Sequence, residues 1–187
     1  VSSTPYGIQA SSPSVVIASV TLNGGTGVWV AGVAVTSGAT ITASIVSAPS
    51  AHGLYMDGSW NSVSYSTITS DMAGSHAAYL SGASSNVFTQ CHIFNRYGYA
   101  AWLGVGSNWN TISRSTMSTY STACGLYVSG SNFNEIRQSR MTSDSGCGAS
   151  LYWGANYNTI DESTMTALGL GAALKLESAS SNTIRRS

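Results

Sequence analysis

The sequence predicts an all-β fold, a right-handed parallel β-helix of about eight coils with about 24 residues in each coil. Three observations indicate this solenoid: an asparagine that recurs at a fixed spacing, an alternating apolar strand ahead of it, and two short apolar segments after it. Strands this short stack on their copies about 4.8 Å away. Parallel crossovers of this kind are overwhelmingly right-handed, which predicts the hand of the coil.

The recurring asparagine is the clearest marker of the repeat. Its successive spacings are 25, 24, 24, 24 and 24 residues. We expect each copy to lie inside a turn, where Asn tolerates a left-handed backbone and its amide can bond to the amide of the next coil. These ladder residues are Asn61, Asn86, Asn110, Asn134, Asn158 and Asn182. An apolar residue follows each of them by two positions: Val63, Phe88, Ile112, Ile136, Ile160 and Ile184.

The strand ahead of each asparagine alternates apolar and other residues, which is typical of a half-buried strand. The predicted inward pairs are Leu54/Met56, Ala78/Leu80, Leu103/Val105, Leu126/Val128, Leu151/Trp153 and Leu174/Leu176. A further apolar position, at Ile68, Ile93, Met117, Met141 and Met165, predicts the third strand of the coil. Residues 1–50 carry degenerate coils of the same single domain, with Ile8/Ala10 and Val28/Val30 matching the leading strand, whereas 51–187 carry regular coils with the ladder.

The segments Asn110 to Met117 and Asn158 to Met165 read Asn-Thr-Ile followed by Ser-Thr-Met. They resemble the right-handed parallel β-helix repeats of the pectin-lyase-like superfamily. The resemblance implies a secreted or cell-surface protein. It does not select an activity, because this fold carries lyases, hydrolases, epimerases, phage tailspikes and structural arrays.

Composition excludes several kinds of partner. Only 7% of the residues are charged and the formal net charge is zero, so there is no basic patch for nucleic acid. No apolar run is long enough for a membrane span. A neutral, charge-poor surface favours self-association, because little repulsion keeps copies apart.

The acidic and histidine residues predict no catalytic, cofactor or metal site. The acids are scattered, and Glu135 and Asp161 are expected in similar outward registers one coil apart, near Arg137. Such a pair is more simply a surface charge ladder than a sugar-cleaving carboxylate pair. His52 and His76 are expected to stack in adjacent coils as part of a turn, without a carboxylate at metal-ligand spacing.

The cysteines fall into two groups. Cys91 takes the place that serine holds in other coils and is expected to be a buried free thiol. Cys124 and Cys147 lie 23 residues apart at the same corner of successive coils. Their Cα atoms can reach disulfide distance, so they are either bonded or two free thiols.

Aromatic residues form two predicted outward columns. The first contains Trp29, Tyr55, Tyr79, Tyr127 and Tyr152, with Trp102 and Gly104 in the coil between. The second directly precedes the ladder and contains Trp60, Trp109, Phe133 and Tyr157, interrupted by Ser85 and Ser181. Stacked aromatics stabilise sheets by cross-strand pairing, and exposed aromatic patches also mark contacts with glycans or neighbouring chains.

Neither terminus offers a capping helix, and the chain stops within a repeat that Val1 to Ile8 would continue. We therefore expect either a segment of a longer β-helix or copies that stack head to tail.

The expected function is a non-enzymatic structural module of an extracellular filament or cell-surface protein, whose serine-rich turns make O-glycosylation chemically available. The alternatives are a carbohydrate-binding or adhesin module that uses the aromatic columns, and a fragment of a polysaccharide-active enzyme.

Overall fold

The computed structural model describes residues 7–12, 14–23 and 31–187. These residues form a parallel solenoid of seven full turns and a partial eighth, with three strands in each full turn. Successive copies of each strand pair in parallel, so three sheets run the length of the solenoid and enclose one core. The predicted fold class and the repeat length of about 24 residues are confirmed.

Each sheet takes one strand from each coil. Sheet A contains Ile8–Ala10, Ala31–Val35, His52–Met56, Ala78–Leu80, Ala101–Leu103, Leu126–Ser129, Ala149–Tyr152 and Leu174–Glu177. Sheet B contains Val16–Ala18, Thr40–Thr42, Ser62–Ser64, Val87–Thr89, Thr111–Ser113, Glu135–Arg137, Thr159–Asp161 and Thr183–Arg185. Sheet C contains Thr21–Asn23, Ile45–Ala48, Thr67–Ser70, His92–Asn95, Thr116–Thr119, Arg140–Ser143 and Thr164–Ala167.

The core follows from period-two alternation on strands that are three to five residues long. In sheet B the central residue of each strand points inward, so Phe88, Ile112 and Ile136 form one continuous column with at most 2% exposure. In sheet C, Ile93, Met117 and Met141 form a second column with no exposure. Burying a side chain of this size contributes about 1.5–3 kcal/mol to folding, so the stacked columns are the main stabilising element.

Two sharp turns per coil are made by residues in the left-handed region. One directly precedes each ladder asparagine, as at Trp109 with φ 60°, and the other joins sheet B to sheet C, as at Arg114 with φ 49°. The asparagines themselves are not among the residues with positive φ. The sequence suggests that asparagine recurs here partly because it tolerates a left-handed backbone, and this explanation is therefore wrong. The hydrogen bonds of its side chain, described below, explain the position.

The predicted inward pairs of sheet A are correct in some coils and wrong in others. Leu54 with Met56, Ala78 with Leu80, and Leu126 with Val128 are buried as expected. Val105 and Trp153, however, are 60% and 61% exposed. In those two coils the inward pairs are Ala101 with Leu103 and Ala149 with Leu151.

The error arises from where these strands end. Leu103 and Leu151 do point inward, but the strands Ala101–Leu103 and Ala149–Tyr152 end before Val105 and Trp153 are reached. The apolar alternation of the sequence continues past the strand end, which moves each predicted pair two positions along the chain.

The early coils contain the strands that the degenerate repeat predicts, but one leading strand lies elsewhere. Val28 and Val30 fall outside the described residues. The strand that pairs with Ile8–Ala10 is Ala31–Val35, in which Val33 lies opposite Ile8 and Val35 opposite Ala10.

Candidate functional sites: the interior ladders and the aromatic surfaces

The six asparagines form a continuous hydrogen-bonded ladder, as predicted. Asn110 donates from Nδ2 to Oδ1 of Asn134 at 3.1 Å, and its backbone N–H donates to the same oxygen at 2.8 Å. Asn134 repeats both bonds to Asn158. The second Nδ2 hydrogen of Asn110 reaches the Ala83 carbonyl at 2.9 Å. These side chains are buried, and their hydrogen bonds offset the free-energy cost of removing their polar groups from water.

A second interior ladder, made by serine, is the feature that the sequence reasoning missed. The backbone N–H of Ser115 donates to Ser139 Oγ at 3.1 Å, and that of Ser139 donates to Ser163 Oγ at 3.1 Å. Each serine directly follows the left-handed residue between sheets B and C. The regular recurrence of serine at this position was the available signal.

Cys91 stands in this serine ladder and is a buried free thiol, as expected. Its backbone N–H donates to Ser115 Oγ at 3.0 Å, so the ladder continues past it. Burial raises the pKa of the thiol, which keeps it protonated and unreactive.

The acidic residues do not gather into a reaction centre. Asp161 lies opposite Arg137, and Glu135 lies opposite Thr159, so the expected alignment of Glu135 with Asp161 is wrong by two positions. Asp161 instead accepts from Arg186 at 2.8 Å and from Arg185 at 3.0 Å. The hydrogen bond from Arg186 lowers the pKa of its carboxyl group. Among the described residues, no three His, Cys, Asp or Glu side chains are grouped as metal ligands.

The two histidines pack together in adjacent coils. Their ring centroids are 5.1 Å apart, and His52 Nδ1 accepts from the backbone N–H of His76 at 3.0 Å. Tyr79 and Trp102 pack against His76, and no hydrogen-bond partner reaches its Nδ1. Burial lowers the pKa of His76 to about 3, so the ring is neutral at ordinary pH.

Cys124 and Cys147 form a disulfide, which resolves the two alternatives left by the sequence. Their Cα atoms are 4.4 Å apart in successive coils, at the turn that leads into sheet A. The bond ties the two coils together beside the outer face of that sheet.

The outer face of sheet A carries the first aromatic column. Tyr55, Tyr79, Trp102 and Tyr127 lie in one cross-strand register. Tyr152 does not share it, because Ser150 lies opposite Tyr127 and Tyr152 lies opposite Ser129. The prediction aligns Leu151 with Leu126, whereas the register partner of Leu151 is Val128, and this causes the error. Trp29 lies outside the described residues.

An open cleft of about 490 Å³ lies at the end of this column, beside the disulfide. Tyr99, Tyr127 and Tyr152 line it, with ring centroids 4.6 Å apart for the first two and 6.0 Å for the last two. Lys175 and Glu177, 3.2 Å apart, add a charged pair. Burial raises the pKa of Tyr99 and of Tyr127, so both hydroxyls remain hydrogen-bond donors. Tyr99 escaped sequence prediction because it lies on a turn outside the strand repeat.

The second aromatic column is a true stack. Trp109 and Phe133 lie 4.3 Å apart with 7° between their planes, and Phe133 and Tyr157 lie 5.2 Å apart with 8°. All three side chains are more than 40% exposed, as is Trp60. Because stacked rings cover each other's faces, this column offers solvent its ring edges and the free faces at its interruptions.

Parallel pairing of every strand with its copy one turn on defines a β-solenoid with polar ladders inside. The chain belongs to the right-handed β-helix family: the family model for a right handed beta helix region matches residues 6–165. Comparison with curated proteins and with solved structures gives no match. In the described ranges, no helix combines the length and apolarity that crossing a membrane requires.

Proposed function

We propose that this chain is a structural module of an extracellular filament or cell-surface protein. The observation that carries the proposal is the set of axial ladders. Asparagine and serine side chains hydrogen-bond successive coils along the regular repeats, and Trp109, Phe133 and Tyr157 stack across three coils. Side chains that make these contacts between coils hold the rod together. Their polar groups are already hydrogen-bonded, so few remain free for a reaction. The disulfide fits an oxidising compartment outside the cell.

The coil that contains Leu174–Glu177 and Thr183–Arg185 has apolar side chains and strand edges that no other described residue covers. Leu176 is 51% exposed there, although its register equivalents in the two preceding coils, Leu151 and Val128, are at most 1% exposed. The strand edges of this coil point along the axis, and such edges readily pair with another strand. A further coil in the same register, from the same polypeptide or from a second copy, would cover them.

Sedimentation velocity of the purified chain at increasing concentration tests end-to-end association. We expect species that grow in mass with concentration. An Ile184→Asp variant should remain small, since its charge would be buried at the contact. Asp in place of the outward Thr183 is the matched control and should not change assembly. Monomers at every concentration, with both ends ordered and covered, would contradict stacking between copies.

The cleft beside the disulfide supports a second candidate, a carbohydrate-binding module. Tyr127 and Tyr152 offer apolar ring surface, and the Lys175–Glu177 pair offers a donor and an acceptor for hydroxyl groups. Glycan-array binding that disappears in a Tyr127→Ala/Tyr152→Ala variant would support it. Tyr120→Ala, which changes an exposed tyrosine outside the cleft, is the control. Absence of binding by the unmodified chain would reject this candidate and leave the structural proposal intact.

A further inference from the structure

The stacked aromatic column has an interruption whose size is set by the fold. Ser85 occupies the register between Trp60 and Trp109: all three directly precede a ladder asparagine and have positive φ, at 66°, 58° and 60°. Their backbone N–H groups make equivalent bonds to the next coil, at 3.0 to 3.2 Å. Ser85 therefore occupies a position of the aromatic column at which no ring is present. We call the space next to Ser85, between the positions of Trp60 and Trp109, the Ser85 slot.

The height of this slot follows from the coil spacing. Trp60 and Trp109 are two coils apart, which is about 9.6 Å at ~4.8 Å per coil. A flat ring placed halfway would lie about 4.8 Å from each indole. The adjacent native stack has centroid separations of 4.3 and 5.2 Å, so one inserted ring would reproduce the packing of the column.

Polar groups lie in the turn beside the Ser85 slot, between sheet A and the ladder asparagine. Ser84 Oγ donates to the Gly106 carbonyl at 3.2 Å and accepts from the Asn108 N–H at 3.2 Å. Ser59 Oγ accepts from the Ser84 N–H at 3.2 Å. Ser85 follows Ser84 directly in the turn and is half-exposed. The Ser85 position is thus bordered by exposed indoles at the same register one coil away on either side, with serine side chains at the turn.

We propose that the Ser85 slot binds a single pyranose ring of a glycan between Trp60 and Trp109. A pyranose has C–H faces that suit both indoles and a hydroxyl rim that suits the serine side chains at the turn. Both indoles are largely exposed, at 75% and 60%, so the slot is open to a sugar carried on a larger glycan. The slot is separate from the cleft on sheet A and does not depend on it.

Indole ¹H–¹⁵N NMR titration tests this site with defined probes. Methyl β-D-glucopyranoside, methyl β-D-galactopyranoside, methyl α-D-mannopyranoside and N-acetylglucosamine would be added separately. We expect at least one sugar to shift the indole signals of Trp60 and Trp109. Ser85→Phe, which supplies the ring that the column lacks, should weaken binding by about tenfold or more.

Ser181→Phe is the matched control, because it adds a ring at the same register of a distant coil and leaves the slot open. It should bind like the unmodified chain, as should Tyr127→Ala/Tyr152→Ala, which separates this site from the cleft. Absence of any sugar-induced shift, or equal shifts in Ser85→Phe, would overturn the proposal. Shifts with p-cresol but with no sugar would also overturn it, since the slot would then accept a protein aromatic side chain.

Discussion

At the scale of single residues, asparagine and histidine show opposite ways of tolerating burial. Each ladder asparagine satisfies its amide through the coils on either side, so its polarity adds directional bonds between coils. His76 is buried with its Nδ1 unpaired, and desolvation holds it neutral. The asparagine ladder can be predicted from its fixed spacing in the sequence. The burial of His76 cannot, because it depends on packing against Tyr79 and Trp102.

Replacing Asn134 by Leu should lower the free energy of unfolding by about 1–3 kcal/mol. The variant removes the acceptor used by both the backbone N–H and the Nδ2 of Asn110, and it leaves Asn158 Oδ1 with only the backbone N–H of residue 134 as a donor. Urea denaturation at neutral pH measures the change. Thr159→Val, on the outer face of sheet B, is the control and should stay within about 0.5 kcal/mol. Equal stability of Asn134→Leu and the unmodified chain would contradict a stabilising ladder.

Acid should destabilise the solenoid through His76. Because its folded pKa lies below the unfolded value of 6.5, its contribution is complete above that pH and is lost as pH falls toward about 3. His52 also has a lowered pKa and faces the same cluster, with Tyr55, Tyr79 and Tyr99 as the neighbouring titratable groups. The loss from His76 should reach roughly 2 kcal/mol between pH 6.5 and 4.5.

A His76→Phe variant isolates this effect from the carboxylates. Thermal melts at pH 7 and pH 4.5 should show a smaller difference for His76→Phe than for the unmodified chain. His92→Phe, at an exposed position in sheet C, should leave the difference unchanged. An identical pH dependence in His76→Phe would show that the buried ring does not control acid stability.

At the scale of elements, the accuracy of sequence prediction depends on where coil length varies. The segment from the asparagine to the third strand is constant, so Ile112 and Met117 were placed correctly. The sheet A strands end at different distances from the asparagine, so the predicted positions of Val105, Trp153 and Tyr152 are wrong. The sheet A cleft was missed because Tyr99 lies on a turn, where no periodic signal exists.

The disulfide should stabilise the coils that it joins. Its loop spans 23 residues, for which restriction of the unfolded chain predicts about 2–4 kcal/mol. A Cys124→Ser/Cys147→Ser variant should lose this amount in chemical denaturation and become insensitive to reductant. Cys91→Ser, which restores the residue typical of its ladder position, should retain the response to reductant. A stable double variant with unchanged midpoint would contradict the assigned contribution.

At the scale of the whole molecule, the ladders and the sheets all run along one axis. Side chains that define a reaction centre converge on a point, whereas these columns repeat along a line. This arrangement favours a rod whose stability grows with the number of coils, since stability in such arrays is roughly a sum over neighbouring repeats. The aromatic cleft and the Ser85 slot are then local additions to a structural frame.

The proposed absence of catalysis gives a direct prediction. With calcium present, the purified chain should release no unsaturated or reducing ends from pectate or alginate, because Asp161 is held by two arginines and the other acids are scattered. Turnover that disappears in Asp161→Asn would overturn the structural proposal. Asp57→Asn, which alters an exposed acid in a different coil, is the matched control.

Cryo-electron microscopy of the material from its native source tests the structural role most directly. The account predicts that the coil ending at Ser187 is covered by another β-helical coil at ~4.8 Å, with its strands paired in register with those of this coil. The repeat would then form part of a filament or of a longer surface rod. Discrete particles, in which this coil stays open or is covered by a domain of another fold, would contradict it.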